Sequence, residues 1–169
     1  RNKPIVKLLI ESDAKVDTGK SRSSPLHAAS QYNFPYGVKV CLKKGVPPVW
    51  MDQAGFTPLH YAACLHDTSS LEFLLKKGIN LEIPAKRSGF TPLVVASLKG
   101  NIPGMKLLLE NSANIEAYDK KDGLTPLIAT MIDNKVDALN FLLEQKANVM
   151  GRRGGNGMTP LMNAIGLHR

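Results

Sequence analysis

Apolar residues fall into a recurring figure along the chain, most legible at residues 55–83, GFTPLHYAACLHDTSSLEFLLKKGINLEI. Leu59, Ala62 and Ala63 stand at helical spacing behind Thr57-Pro58. That dipeptide combines a hydroxyl able to cap a helix with a proline suited to the first turn, where no amide partner is needed. A second apolar face follows at Leu71, Phe73, Leu74 and Leu75, and Gly78 stands where a left-handed residue ends a helix. His66 lies between the two faces, where the chain must turn back. The stretch predicts helix, turn, helix and hairpin.

The same figure returns at Ser24-Pro25-Leu26, Thr57-Pro58-Leu59, Thr91-Pro92-Leu93, Thr125-Pro126-Leu127 and Thr159-Pro160-Leu161, in steps of 33, 34, 34 and 34 residues. Leu42, Leu75, Leu109 and Leu143 each come eighteen residues after the first four Ser/Thr positions. The helix–turn–helix portion therefore has one length, and the extra residue belongs to the hairpins. The column between the helices reads Asn33, His66, Gly100, Asn134 and His168, residue types that tolerate positive φ. The column at the end of the second helix reads Asp13, Gly45, Gly78, Ser112 and Lys146, which predicts stability declining along the chain.

The period, the motifs TPLHYAA at 57–63 and SPLHAAS at 24–30, and the Leu-Leu helix with its Gly stop resemble the ankyrin repeat. The resemblance covers essentially all 169 residues. It implies an all-α ankyrin-repeat solenoid of stacked helix–turn–helix units joined by hairpin-like loops, each unit contacting its neighbours. The phase divides the chain into a half-repeat at 1–16, repeats at about 17–50, 51–84, 85–118 and 119–152, and a partial repeat at 153–169. These form a single array, a fragment of a longer chain by this reading. Residues 2–10 align with the second helix at 101–109, and Lys15 to Arg22 are expected to form the first hairpin. Val94, Ile128 and Met162 replace the motif His and cannot supply an imidazole's hydrogen bonds between repeats.

Two segments break the pattern. The helix expected from FPYGVKVCL at 34–42 contains Pro35 and Gly37, so it is expected to be short or weak. Two prolines in GVPPVWMDQAG at 45–55 predict a distorted connection there rather than a regular finger.

Composition adds constraints. With 43% hydrophobic but only 6% aromatic residues, a core of Leu, Ala, Val and Ile in thin layers fits better than one globular centre. Cys41 and Cys64 make no spaced framework, and no secretory leader is evident. An intracellular setting, cytoplasmic rather than nuclear, is the expectation. No apolar run reaches the roughly 18–20 residues needed to cross a bilayer. The net charge of +8, from 22 Lys and Arg against 14 Asp and Glu, suits nucleic acid, an anionic membrane or an acidic protein partner, and alone does not choose among them.

Candidate chemistry is sparse. GRRGGNG at 151–157 lacks the order of a phosphate loop and the strand that should precede it, so a hairpin explains its glycines. His60, Cys64 and His66 lack a fourth metal ligand, and the repeat phase already accounts for both histidines. Trp50, Met51 and Phe56 supply too few rings for an aromatic cage around a methylated lysine. No nucleophile–base order or carboxylate pair is brought to one surface. The expectation is a non-enzymatic region without metal or cofactor.

The family resemblance implies a protein-interaction scaffold or adaptor that binds a partner peptide or domain through its concave first-helix and hairpin surface. Phe56, Phe90, Leu124 and Met158 precede each Thr at the hairpin base. Tyr32, Cys64, Leu65, Leu98, Lys99 and Ile132 lie seven or eight residues after each Ser/Thr, at the end of the first helix. Arg22, Lys86, Arg87, Lys120, Lys121, Arg152 and Arg153 would add a basic rim. A partner segment with apolar anchors and acidic flanks complements this surface, with no small-molecule substrate. The alternatives are an anionic surface, nucleic acid or membrane, bound by the basic hairpins, and a targeting region of a larger enzyme.

Overall fold

A computed structural model describes residues 24–151 and 157–166. The half-repeat at 1–16, the first hairpin, Asp13 and His168 lie outside the described residues. Among those described, the chain is all α-helical, with nine helices and no strand. They are α1 (Pro25–Gln31), α2 (Pro35–Lys43), α3 (Pro58–Ala63), α4 (Ser69–Leu75), α5 (Pro92–Leu98), α6 (Ile102–Glu110), α7 (Pro126–Ile132), α8 (Val136–Glu144) and α9 (Pro160–Gly166).

Each first helix begins at the predicted Ser/Thr-Pro step, with the Ser or Thr extended and the proline in the first turn. The two helices of a unit pack on each other, and the first helices α1, α3, α5, α7 and α9 stack in sequence. Leu26, Leu59, Leu93 and Leu127 of the motif are all buried, one per layer. Leu71, Leu74, Met105, Leu108 and Leu142 of the second helices fill the space behind them. Apolar burial is thus distributed as one thin layer per repeat.

Positive φ occurs where the two columns require it, with one exception. The helix-stop residues Gly45, Gly78, Ser112 and Lys146 have φ of 82°, 61°, 71° and 64°. The left-handed residue lets the next amide reach back: Val46 N donates to Cys41 O, Ala113 N to Leu108 O and Ala147 N to Leu142 O, each at 2.9–3.0 Å. Asn33, Gly100 and Asn134 turn the corner between helices with φ of 44°, 63° and 51°. Phe34 N then donates to Ala29 O, Asn101 N to Ala96 O and Lys135 N to Thr130 O.

His66 does not follow its column. It is absent from the positive-φ corners because α3 stops at Ala63 and α4 starts only at Ser69, so the turn is spread over 64–68. Asp67 shapes its end, its Oδ1 accepting from Ser69 N and Ser69 Oγ. The carbonyls left open at the end of α3 are taken from outside: Asn101 Nδ2 donates to Ala63 O at 2.8 Å and to Leu65 O at 2.7 Å.

The helix expected to be short or weak is not short. α2 runs nine residues, longer than α3 or α4. Pro35 occupies its first turn, and Gly37 is a packing requirement: a Cβ there would stand 2.5 Å from Phe34 Cδ1 and 3.2 Å from Ala29 Cβ. The close approach of Phe34 and Ala29 gives the glycine a packing reason to set against its intrinsic cost of about 1 kcal/mol. Gly104 of α6 occupies the same position, where a Cβ would meet Asn101 Nδ2 at 2.3 Å. The connection at 45–55 turns at 48–49 as the next connection turns at 81–82, and departs from it only nearer Phe56, where it is one residue shorter. Pro47 and Pro48 fit because the turn makes no use of their missing amides.

Candidate interaction surface

The starts of α1 and α3 and the first two described hairpins are tied together by buried histidines. His60 Nδ1 accepts from Thr57 N at 3.1 Å and lies 2.8 Å from Thr57 Oγ1, while Nε2 lies 2.9 Å from Phe90 O. With an amide donating to Nδ1, the proton is on Nε2, which donates to the Phe90 carbonyl of the next repeat. His27 is arranged alike, with Ser24 at Nδ1 and the carbonyls of Trp50 and Phe56 at Nε2. One imidazole therefore closes its own helix start and tethers the following hairpin. Burial pushes the pKa of His60 down to about 4, against the opposing pull of the Phe90 hydrogen bond and the Asp52 charge. Burial likewise lowers that of His27. Both rings are neutral near pH 7.

Where the imidazole is missing, the hydroxyl is the one side-chain group left at the helix start. Thr91 Oγ1 accepts from Val94 N and Thr125 Oγ1 from Ile128 N, ordinary N-caps. Val94 and Ile128 are buried and have no side-chain hydrogen bond to offer the following hairpin.

Hairpin length varies as the repeat steps require. Asp52 N donates to Phe56 O in the first described hairpin, and Ala85 N to Phe90 O and Asp119 N to Leu124 O in the next two. The first is one residue shorter, which accounts for the single step of 33 residues. Two of these turns are organised by a carboxylate. Asp52 accepts from Phe56 N and Tyr61 Oη. Its burial would raise the carboxyl pKa, but these hydrogen bonds outweigh it and hold it below the usual value. The Tyr61 phenol is pushed up to about 12 by burial and by that carboxylate. Asp119, 1% exposed, accepts from the amides of Lys121, Asp122 and Leu124.

The residues singled out from the sequence divide by exposure. Tyr32 (73% exposed) and Ile132 (46%) stand open at the ends of α1 and α7, and Lys99 is exposed at the end of α5. Cys64, Leu65 and Leu98 are half-buried in the corresponding places. Cys64 Sγ donates to His60 O, and burial pushes its thiol pKa up. At the hairpin bases Phe56, Phe90, Leu124 and Met158 are also half-buried. Phe56 makes a T-shaped contact with His60 and a tilted one with Tyr61, with ring centroids 5.3 and 5.7 Å away. Lys86, Arg87, Lys120 and Lys121 are exposed and line a cleft of about 650 Å³ between the second and third described hairpins. Arg22, Arg152 and Arg153 lie outside the described residues.

The candidate metal ligands do not converge. Both nitrogens of His60 are engaged, His66 is exposed, and no group of three or more His, Cys, Asp or Glu among the described residues could hold an ion. Cys41 is buried and Cys64 half-buried, both free. No helix of the described residues is long and apolar enough to cross a membrane.

Three features escape sequence reading. Asn101 is fully buried, caps α6 through Gly104 N, and closes the end of α3. Asp119 is the buried centre of its turn. On the outer side, Glu82 Oε1 accepts from Asn114 N at 2.8 Å and Glu116 Oε1 from Asn148 N at 2.7 Å. Asn80, Asn114 and Asn148 each turn their side-chain oxygen to the amide two residues on. The signal was present: Asn80-Leu81-Glu82 and Asn114-Ile115-Glu116 share the period of 34 residues.

A family model described as ankyrin repeats (3 copies) matches residues 1–85, 38–119 and 93–169. No curated protein matches the chain.

Proposed function

The chain belongs to the ankyrin-repeat family, and from that membership we propose that it is a scaffold or adaptor that holds a partner polypeptide along its first helices and hairpins. Ankyrin repeats are generally protein–protein interaction modules and typically not enzymes. The observation that carries the reading is a pair of adjacent columns at the ends of successive first helices, Cys64, Leu98 and Ile132 in one and Tyr32, Leu65 and Lys99 in the other, all half-buried or exposed. Aligned apolar side chains accessible on one side of a stack offer anchors for a partner's apolar residues. Phe56, Phe90 and Leu124 border these columns at the hairpin bases, and Lys99 adds positive charge. A segment with apolar anchors and acidic flanks is the complementary ligand.

The test uses peptides selected on the wild-type array from a displayed random library. The double variant Leu98→Ser/Ile132→Ser should keep its thermal melt and lose about tenfold or more in affinity for them. Equal binding by wild type and variant overturns the proposed surface. The second reading, an anionic-surface binder, draws on the exposed Lys86, Arg87, Lys120 and Lys121. It requires binding to RNA or anionic vesicles that falls steeply with salt and is indifferent to Leu98 and Ile132.

A further inference from the structure

The hairpins do not stack evenly. Between the first and second described hairpins, Lys86 N donates to Gly55 O at 2.9 Å. The approach is so close that a Cβ on Gly55, whose φ is +82°, would lie 2.7 Å from that nitrogen. One repeat on, the equivalent atoms are Lys120 N and Gly89 O, and no hydrogen bond joins them. A Cβ on Gly89 would be 3.8 Å from Lys120 N. It would meet Asp119 Cβ first, at 3.0 Å, so the third hairpin approaches Gly89 through Asp119 rather than through the Lys120 amide. The cleft of about 650 Å³ lies between the second and third hairpins.

Its charges are unevenly committed. Four cations line it, Lys86, Arg87, Lys120 and Lys121, and none is ion-paired among the described residues. The carboxylates that line it, Glu82 and Glu116, each already accept a backbone amide of the following repeat. Asp119, beside the cleft, is turned inward onto the amides of its own loop. The Lys120 amide has no hydrogen-bond partner among the described residues. Tyr118, 45% exposed, adds an aromatic surface to the wall.

We propose that this cleft receives an acidic peptide segment, whose carboxylates lie against Lys86, Arg87, Lys120 and Lys121 and whose backbone runs between the two hairpins. Arg87 offers a fork suited to a carboxylate, and the lysines offer point charges around it. A polypeptide fits better than a uniform polyanion because Glu82 and Glu116 stand in the same cleft and repel a phosphate backbone. A peptide can turn a neutral or basic residue to them. The inference rests on the reading of the array as a peptide-binding surface and supplies the site for the acidic flank of the ligand.

The probe is a short fluorescein-labelled Glu-rich peptide, compared with its Gln analogue, a short single-stranded RNA and anionic lipid vesicles. The Glu peptide should bind the wild-type chain and the Gln analogue about tenfold more weakly, with the difference shrinking as salt rises. Arg87→Gln/Lys120→Gln should lose about tenfold in affinity, whereas Lys39→Gln/Lys77→Gln, which removes the same charge from exposed sites in α2 and just after α4, should stay near wild type. Equal loss in both double variants, no loss in either, or no binding of the Glu peptide overturns the proposal. So does tighter binding of RNA or vesicles that is abolished by the same cleft variant. Leu98→Ser/Ile132→Ser should retain the Glu peptide, so failure of the cleft and failure of the first-helix surface give different patterns.

Discussion

The repeats at 24–83 and those at 91–150 solve one problem in two ways. Each must start a helix behind a Ser or Thr and hold the next hairpin against it. In the earlier pair an imidazole does both: His27 and His60 bind the Ser24 and Thr57 groups on one side and the next hairpin's carbonyls on the other. In the later pair Thr91 and Thr125 cap the helix themselves, and Val94 and Ile128 pack without a tether. The polar solution gives directional linkage at the expense of burying a titratable ring. The apolar one makes no such bond, and the cleft lies between the second and third hairpins, the latter being the first to follow a Val in place of the imidazole. On the outer side Glu82–Asn114 joins the two halves and Glu116–Asn148 lies within the later one, while in the earlier half Val49, at the place of Glu82, has no carboxylate for such a contact.

Asn101 stands at the junction of these halves, and its removal should have the largest effect. It is fully buried, and α4 and α6 pack less closely than α2 with α4 or α6 with α8. Asn101→Ala strips Ala63 O and Leu65 O of a donor and Gly104 N of its cap, for an expected loss of about 3 kcal/mol. Lys135→Ala, at the same repeat position but without such contacts, should change stability by less than about 0.5 kcal/mol. Urea denaturation of both variants checks the pair. An Asn101→Ala loss no larger than that of Lys135→Ala would break the idea that the halves are joined there by a polar clasp.

The second effect is carried by pH. His60 has its folded pKa lowered to about 4 from an ordinary 6.5, because burial disfavours the charged ring. Above pH 6.5 the ring is neutral folded or unfolded, so its contribution is fully present. As pH falls from 6.5 towards 4 the unfolded chain takes up a proton that the folded chain refuses, and stability is lost. At 1.36 kcal/mol per unit, the loss attributable to His60 is about 3 kcal/mol across that window. Carboxylates also titrate at its lower end, so the informative quantity is the difference from His60→Val, which copies Val94. The variant should lose stability less steeply between pH 6.5 and 4, and parallel curves for the two proteins would contradict a neutral buried His60.

How much of this was legible in the sequence follows from how local each feature is. The Ser/Thr-Pro-Leu starts, the stop column and the placement of the extra residue rest on a few adjacent residues, and all appear as expected. Gly37 reads as a weak point because propensity knows nothing of Phe34 and Ala29 lying against it. His66 reads as a corner because its column mates are corners, yet Asp67 shapes a longer turn, and Asn101 from the next repeat closes it. The surface columns could be numbered from the phase. Their exposure, and the uneven stacking of the hairpins, depend on neighbouring repeats and had no signature within one unit.

The smallest effect concerns the helix stops, where the two halves differ by a single atom group. Gly45 and Gly78 end the second helices of the earlier half, Ser112 and Lys146 those of the later, and all four have φ between 61° and 82°. An L residue with a Cβ is strained in this region by about 1 kcal/mol, whereas glycine enters it freely. A Cβ at Gly45 or Gly78 would meet nothing within 4 Å, so the earlier stops carry glycine for backbone conformation alone. Lys146 is exposed and its amide donates to Leu143 O, a bond that glycine keeps. Glycine also makes the unfolded chain more flexible, which takes back part of the gain. Lys146→Gly should therefore stabilise the chain by up to about 1 kcal/mol in chemical denaturation, and the reverse change, Gly78→Lys, should cost a similar amount. A clear loss of stability in Lys146→Gly would mean that its side chain contributes more than its backbone strain removes, and the contrast between glycine-stopped and side-chain-stopped repeats would then carry no penalty for the later half.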